Sequence, residues 1–193
     1  VNYYYLLLGV SMKGIVFSEF IEMVEEEFSP QMADDIIEAA SAKLDSGGSY
    51  TSVGVYDHLE LVELVTELSK ASGVEMNELV TTFGTHLAGR FAEIYPSFFE
   101  KAESTLDFLE SVDNHIHVEV LKLYPEAELP RFKTQRTGNQ LMMEYQSKRP
   151  FSALAKGLIQ GSAIYFGEQL SVEEVDLSNG IGNHMRFTIT SQL

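Results

Sequence analysis

In the segment LMMEYQSKRPF, residues 141–151, Tyr145, Ser147 and Arg149 recur at every second position. On an extended strand that spacing puts all three on one face, in line with Leu141 and Met143, while Met142, Glu144, Gln146 and Lys148 take the other. A guanidinium makes charge-assisted, often bidentate hydrogen bonds, and two hydroxyls beside it add directed donors, so the row suits carboxylate or phosphate groups. It also reads as an ordinary amphipathic strand with a solvated end. The pattern is short, and its weight depends on what accompanies it.

The chain has no cysteine, which removes disulfides, thiolate metal sites and cysteine nucleophiles together and leaves five histidines as candidate ligands. His115 and His117 stand two apart in HIH, and on a helix such residues point about 200° apart, so they cannot grip one ion from the same side. Leu106, Leu109, Val112, Ile116, Val120, Leu123 and Tyr124 mark the apolar face of that helix. His117 lies about 75° from the centre of the face and His115 about 125°. His117 is therefore the better candidate for a partly buried imidazole, either as a ligand or as a core-edge residue bonded to a backbone carbonyl. His86 reads as a helix-edge ring, and His58 and His184 as surface or turn residues. No His-Glu-x-x-His spacing, carboxylate-rich calcium loop, Gly-rich phosphate loop or serine elbow is present.

The elements that must carry these residues change character near Pro130. From Met12 to about Tyr124 the apolar residues recur at three and four, as in Phe17, Phe20, Ile21, Val24 and Phe28. Further helices are expected over QMADDIIEAASAKL, Tyr56 to Ala71, Met76 to Ile94, and from Thr105 to YPEAELP. Beyond Pro130, RFKTQRT, NQLMMEYQSKR, LSVEEVDL and MRFTITSQ read as strands, with Gly138-Asn139 and SNGIGN as turns and PFSALAKGLIQGSAIYFGEQ as a helix between them. Gly157 and Gly161 have the spacing for close helix packing. The class is α+β, with a helical part first and then a small antiparallel sheet with packed helices.

A chain of 193 residues with 45% hydrophobic residues is long enough for a real core. Its 29 acidic and 13 basic residues give a net charge of −16, which argues against nucleic acid and anionic membrane as partners. The apolar start VNYYYLLLGVS is shorter than the ~20 residues a bilayer requires and lacks a basic n-region. Residues 1–11 are read as an extension or expression remnant ahead of Met12. The lack of cysteine is compatible with a cytoplasmic protein.

Three segments in order carry a more specific signal. MKGIVFSEF, HVEVLKLYPEAELPRF and YQSKR together resemble the haem nitric oxide/oxygen binding (H-NOX) domain, over about residues 12–191. The resemblance implies a distal helical subdomain over about 12–75 and a proximal one over about 76–191, with haem b (iron protoporphyrin IX) between them. It implies that His117 ligates the iron, that Pro130 presses on the porphyrin, and that Tyr145, Ser147 and Arg149 hold its propionates. By register, the distal positions are Phe20, Leu87 and Leu154. Family members that bind oxygen stably place a tyrosine on the helix after the Y-x-S-x-R motif, where this chain has Leu154.

The function so implied is that of a non-enzymatic nitric oxide sensor, binding carbon monoxide as well and oxygen weakly or not at all. Nitric oxide would weaken the bond from iron to His117 and shift the domain. The output would reach a separate bacterial histidine kinase or cyclic-di-GMP enzyme. Two other classes compete: a haem enzyme, which would need a polar distal pair that only His86 could begin to supply, and a cofactor-free module in which Arg149 holds an apolar carboxylate.

Overall fold

The computed structural model describes residues 11–125 and 127–192, so the expected extension lies outside the described residues except for Ser11. The chain divides between Leu79 and Val80 into two compact units.

The first unit holds strand β1 (Ser11–Lys13), helices α1 (Gly14–Glu27) and α2 (Pro30–Ala40), strand β2 (Val55–Asp57) and helix α3 (His58–Ser72). Its helices form where the three-and-four spacing predicts. Phe17, Phe20, Met23 and Val24 are buried on α1, Ala33, Ile36 and Ala40 on α2, and Leu61, Leu64, Val65 and Leu68 on α3. Their ends are chemically marked. Ser29 accepts the Met32 N–H ahead of Pro30, Asp57 accepts the Leu59 N–H, and Gly73 closes α3 in the left-handed region at φ 75°. Short strands interrupt the expected helical run, β1 pairing antiparallel to β2 with Met12 opposite Tyr56. Three residues are too few for an alternation to register in sequence. The loop before β2 is held by the buried Glu60, whose carboxylate accepts from the Ser46 hydroxyl at 2.5 Å and the Tyr50 hydroxyl at 2.8 Å.

The second unit begins within α4 (Met76–Ile94) and continues through α5 (Pro96–Phe99), α6 (Thr105–Ser111) and α7 (His117–Leu123). There follow β3 (Arg131–Thr137), β4 (Gln140–Gln146), α8 (Ser152–Phe166), β5 (Gln169–Asp176) and β6 (His184–Gln192). The four strands form one antiparallel sheet in the order β3-β4-β6-β5. Leu141, Met143 and Tyr145 of β4 lie opposite Ile189, Phe187 and Met185 of β6. All six are buried, in one core with Leu106, Phe108 and Leu109 of α6 and Ala155 and Ile159 of α8. Glu144 and Arg186 occupy the other face. The two-residue Gly138-Asn139 turn joins β3 to β4, with Gly138 at φ 60° as a tight hairpin requires.

Helix α8 approaches α4 closely because both carry glycine at the crossing. A methyl group on Gly157 would overlap the Thr81 carbonyl, and one on Gly84 the Leu154 carbonyl. Thr85 donates its hydroxyl to the Gly157 carbonyl at 3.3 Å. Gly157→Ala is expected to cost about 1–3 kcal/mol in urea unfolding through overpacking. Gly89→Ala, on the same α4 with open space where its methyl would go, should be neutral or stabilising by about 0.5–1 kcal/mol.

Candidate functional site

His117 opens α7, and the turn before it is a π turn over Val112–Ile116, in which the His117 N–H donates to the Val112 carbonyl five residues back. Such single-turn bulges recur at functional sites, because the extra residue re-aims its neighbours. Here one of the neighbours is Asp113. Its Oδ1 accepts the Phe132 N–H at 3.1 Å and lies 3.6 Å from His117 Nδ1, an approach of charge rather than a normal hydrogen bond. Its Oδ2 lies 3.8 Å from Arg131 Nη1. One carboxylate thus ties the π turn to the first two residues of β3 and faces the imidazole.

The His117 side chain is only 16% exposed. Burial pushes its pKa below the ordinary histidine value, while the Asp113 carboxylate opposes that shift. The neutral ring that results is the form that ligates a metal, one nitrogen binding while the other faces an orienting acceptor. The imidazole also lies against Phe132, with ring centroids 5.8 Å apart, and Phe132 lies 5.7 Å from Tyr145. Phe132 and Tyr145 are direct cross-strand partners. A continuous series of rings therefore joins His117 to the Y-x-S-x-R motif.

The motif itself is not a row on one strand face. β4 ends at Gln146, and the Ser147 N–H makes one more bond in register with β6, to the Asn183 carbonyl at 2.9 Å. Ser147 Oγ then accepts the Arg149 N–H at 3.0 Å, and the buried Tyr145 hydroxyl donates to the Arg149 carbonyl at 3.2 Å. Burial raises the Tyr145 pKa, which keeps its hydroxyl protonated. Tyr145 and Ser147 thus fix the backbone of Arg149 on both sides, and Pro150, with no N–H to give, prevents a return to the ladder. The Arg149 side chain is 11% exposed, and its Nη2 lies 3.6 Å from Glu128 Oε2. Lys148 reaches Glu128 Oε1 at 2.9 Å. Pro130 immediately precedes β3 and Ser147 immediately follows β4. Because Arg131 opposite Gln146 is the last rung of their ladder, both lie at the same end of the hairpin.

Of the remaining candidates, Phe20 is fully buried in the first unit. In the second unit Leu87 is 2% exposed and Leu154, in the first turn of α8, is half-buried. Three of the other histidines have local partners. His115 Nε2 lies 3.2 Å from Lys101 Nζ, His58 Nδ1 lies 3.1 Å from Asp57, and His184, the first residue of β6, lies 3.0 Å from Glu144. Among the described residues no group of three His, Asp or Glu side chains could hold a bare metal ion, and no helix is long and apolar enough to cross a membrane. Sequence reasoning missed Asp113 and Glu128. The four-residue spacing of Asp113 from His117 was a usable signal, whereas nothing local marks Glu128.

A model of the haem-NO-binding family matches residues 13–174, and the chain belongs to that family. The fold agrees. The Fe(II) unliganded H-NOX protein from K. algicida is 34% identical with a TM-score of 0.88, covering 94% of this chain and 97% of its own. The IWP-051-bound H-NOX from Shewanella woodyi, in the Fe(II)CO ligation state, is 42% identical with a TM-score of 0.78 and coverage of 94% and 95%. An H-NOX protein from S. oneidensis in the Fe(II)NO ligation state is 26% identical with a TM-score of 0.85 and coverage of 94% and 100%. Comparison with curated proteins gives no match. The helix-then-sheet class expected from the sequence holds.

Asp113→Ala is expected to strip the Phe132 N–H of its acceptor and to cost about 1–3 kcal/mol in urea unfolding. Faster hydrogen exchange at the Phe132 amide is the accompanying local signature.

Proposed function

We propose that this protein is a haem-based nitric oxide sensor in which His117 ligates the iron of haem b, and Ser147 and Arg149, with Tyr145 supporting their turn, bind the haem carboxylates. The observation that carries the reading is the His117 environment: an imidazole only 16% exposed, faced by a carboxylate that is itself bonded to the strand beginning one residue after Pro130. The residues fit the group. A nearly buried guanidinium fixed by its own backbone bonds is a receptor for a carboxylate, and it stands in a chain of net charge −16 that otherwise repels anions.

When bound, haem supplies an iron at which diatomic gases coordinate. The protein decides which gases are favoured. Phe20, Leu87 and Leu154 offer no hydrogen-bond donor, which disfavours oxygen and leaves nitric oxide, and carbon monoxide with it, as ligands. The Fe(II)NO and Fe(II)CO states of the S. oneidensis and S. woodyi proteins support nitric oxide and carbon monoxide as ligands. Pro130 would press on the porphyrin, and residues 12–191 would work as one domain with a distal and a proximal part.

Signal output follows from the construction of α7. Its first residue is His117, and the π turn before it is a local defect that permits a helix to change register at small cost. Val118, Leu121 and Leu123 are exposed on α7, giving a partner an apolar surface that moves with the ligand. The partner is a separate signalling enzyme in the cytoplasm, a histidine kinase or a cyclic-di-GMP enzyme, and the domain itself is not a catalyst.

His117→Gly tests the assignment. The reduced variant should lose the normal ferrous haem spectrum and regain a five- or six-coordinate imidazole spectrum when imidazole is added. An unchanged spectrum would put the ligand elsewhere, with His86 the next residue to substitute.

A further inference from the structure

The loop between β5 and β6 belongs to no motif, yet it holds both ends of the Y-x-S-x-R turn. Its Asn183 carbonyl accepts the Ser147 N–H at 2.9 Å, and its Gly182 carbonyl accepts the Ser152 N–H at 3.2 Å where α8 begins. The segment between these bonds is residues 147–152, with Arg149 in its interior. Two adjacent carbonyls of one loop therefore set where the guanidinium is anchored and where α8, which carries Leu154, starts.

That loop is shaped by a short polar relay. Asp176, the last residue of β5, accepts the Ser178 N–H at 2.7 Å and the Ser178 hydroxyl through the same oxygen. Its other oxygen accepts the Gly180 N–H at 2.5 Å. Ser178, only 9% exposed, uses its hydroxyl oxygen to accept the Gly182 N–H at 2.8 Å. The relay thus runs from carboxylate to hydroxyl to the Gly182 peptide, next to the carbonyls that hold the turn. The backbone needs such support: Asn179, Gly180 and Gly182 all adopt left-handed conformations, with φ of 57°, 89° and 79°, and only glycine does so without strain. The Ser178 hydroxyl and the loop amides hold the Asp176 carboxyl below its ordinary range, in the anionic form that the relay requires.

We propose that Asp176 and Ser178 are positioning residues for the cofactor-binding turn, acting through the Gly182 and Asn183 carbonyls on Ser147, Arg149 and the start of α8. The proposal rests on the haem-binding reading of Ser147 and Arg149. Neither residue touches the cofactor in this account; both set the geometry of the groups that do.

The test uses Asp176→Ala, Asp176→Asn and Ser178→Ala in the full chain. Asn139→Ala is the control, deleting a bond to the Ser191 carbonyl at the opposite end of the sheet. Two quantities are measured: amide hydrogen exchange at Ser147 and Ser152 in protein prepared without haem, and the rate of haem transfer from loaded protein to a scavenging haem acceptor. Ser178→Ala and Asp176→Ala should each speed exchange at both amides by about tenfold and haem loss by a similar factor. Asp176→Asn, which retains one acceptor oxygen, should fall between them and the unaltered protein, and Asn139→Ala should leave both rates unchanged. Unchanged exchange in all three variants overturns the relay. Faster exchange with unchanged haem loss overturns the positioning role. Failure of the unaltered protein to take up haem overturns the haem reading and the proposal with it, a result the exchange data keep separate from failure of the relay.

Discussion

The antiparallel register of the four-stranded sheet is the constraint on which the candidate site depends. β3 begins where β4 ends, with Arg131 opposite Gln146, and β6 begins there too, with His184 opposite Gln146. β5 ends beside them, with Asp176 opposite Met185. Pro130, Ser147 and the Asp176 loop are thereby gathered at one end of the sheet although 46 positions separate Pro130 from Asp176. The burial of Leu141, Met143, Tyr145, Met185, Phe187 and Ile189 on one face enforces that register. A slip of one residue would turn every one of them to the opposite face.

From that fixed end, each functional group is held by backbone rather than by side-chain reach alone. Arg149 is bonded through its own N–H and carbonyl, by Ser147 and Tyr145. Asp113 holds the π turn to β3 by accepting a strand N–H. Backbone anchoring suits a chain this acidic. Its few cations must be oriented before an anionic group arrives, because long-range attraction from the rest of the surface does not favour approach. The nearby Glu128, paired with Lys148 and close to Arg149, shows how local the positive potential is.

Much of the architecture was legible in sequence, for identifiable reasons. The long helices announce themselves through apolar spacing, and β3 is recovered over RFKTQRT because a glycine turn and a proline bound it. The central pattern of β4 was also plain, but not its end. The Ser147 N–H makes one last bond in register, to the carbonyl of Asn183, 36 positions later, and the chain then turns as Ser147 Oγ accepts the Arg149 N–H, a bond that strand alternation does not record. The strands at Ser11–Lys13 and Val55–Asp57 are too short to show alternation. The π turn before His117 is equally hidden, since the sequence there keeps a helical apolar pattern. His117 itself could be preferred over His115 by its angle to the apolar face, and its low exposure agrees with that preference. The residues that orient it, and the Asp176 relay, depend on tertiary contacts and so left little trace.

Haem held through His117, with Phe20, Leu87 and Leu154 offering oxygen no hydrogen-bond donor, would have a distinct spectroscopic signature. The most direct measurement is the absorption spectrum of the purified, haem-supplied protein, reduced and then exposed in turn to air and to nitric oxide. The expected result is a Soret band that keeps its ferrous position in air and shifts with nitric oxide. A stable oxygen-bound spectrum would contradict the distal assignment of Phe20, Leu87 and Leu154, and the absence of any haem band would contradict the assignment of His117, Ser147 and Arg149 altogether.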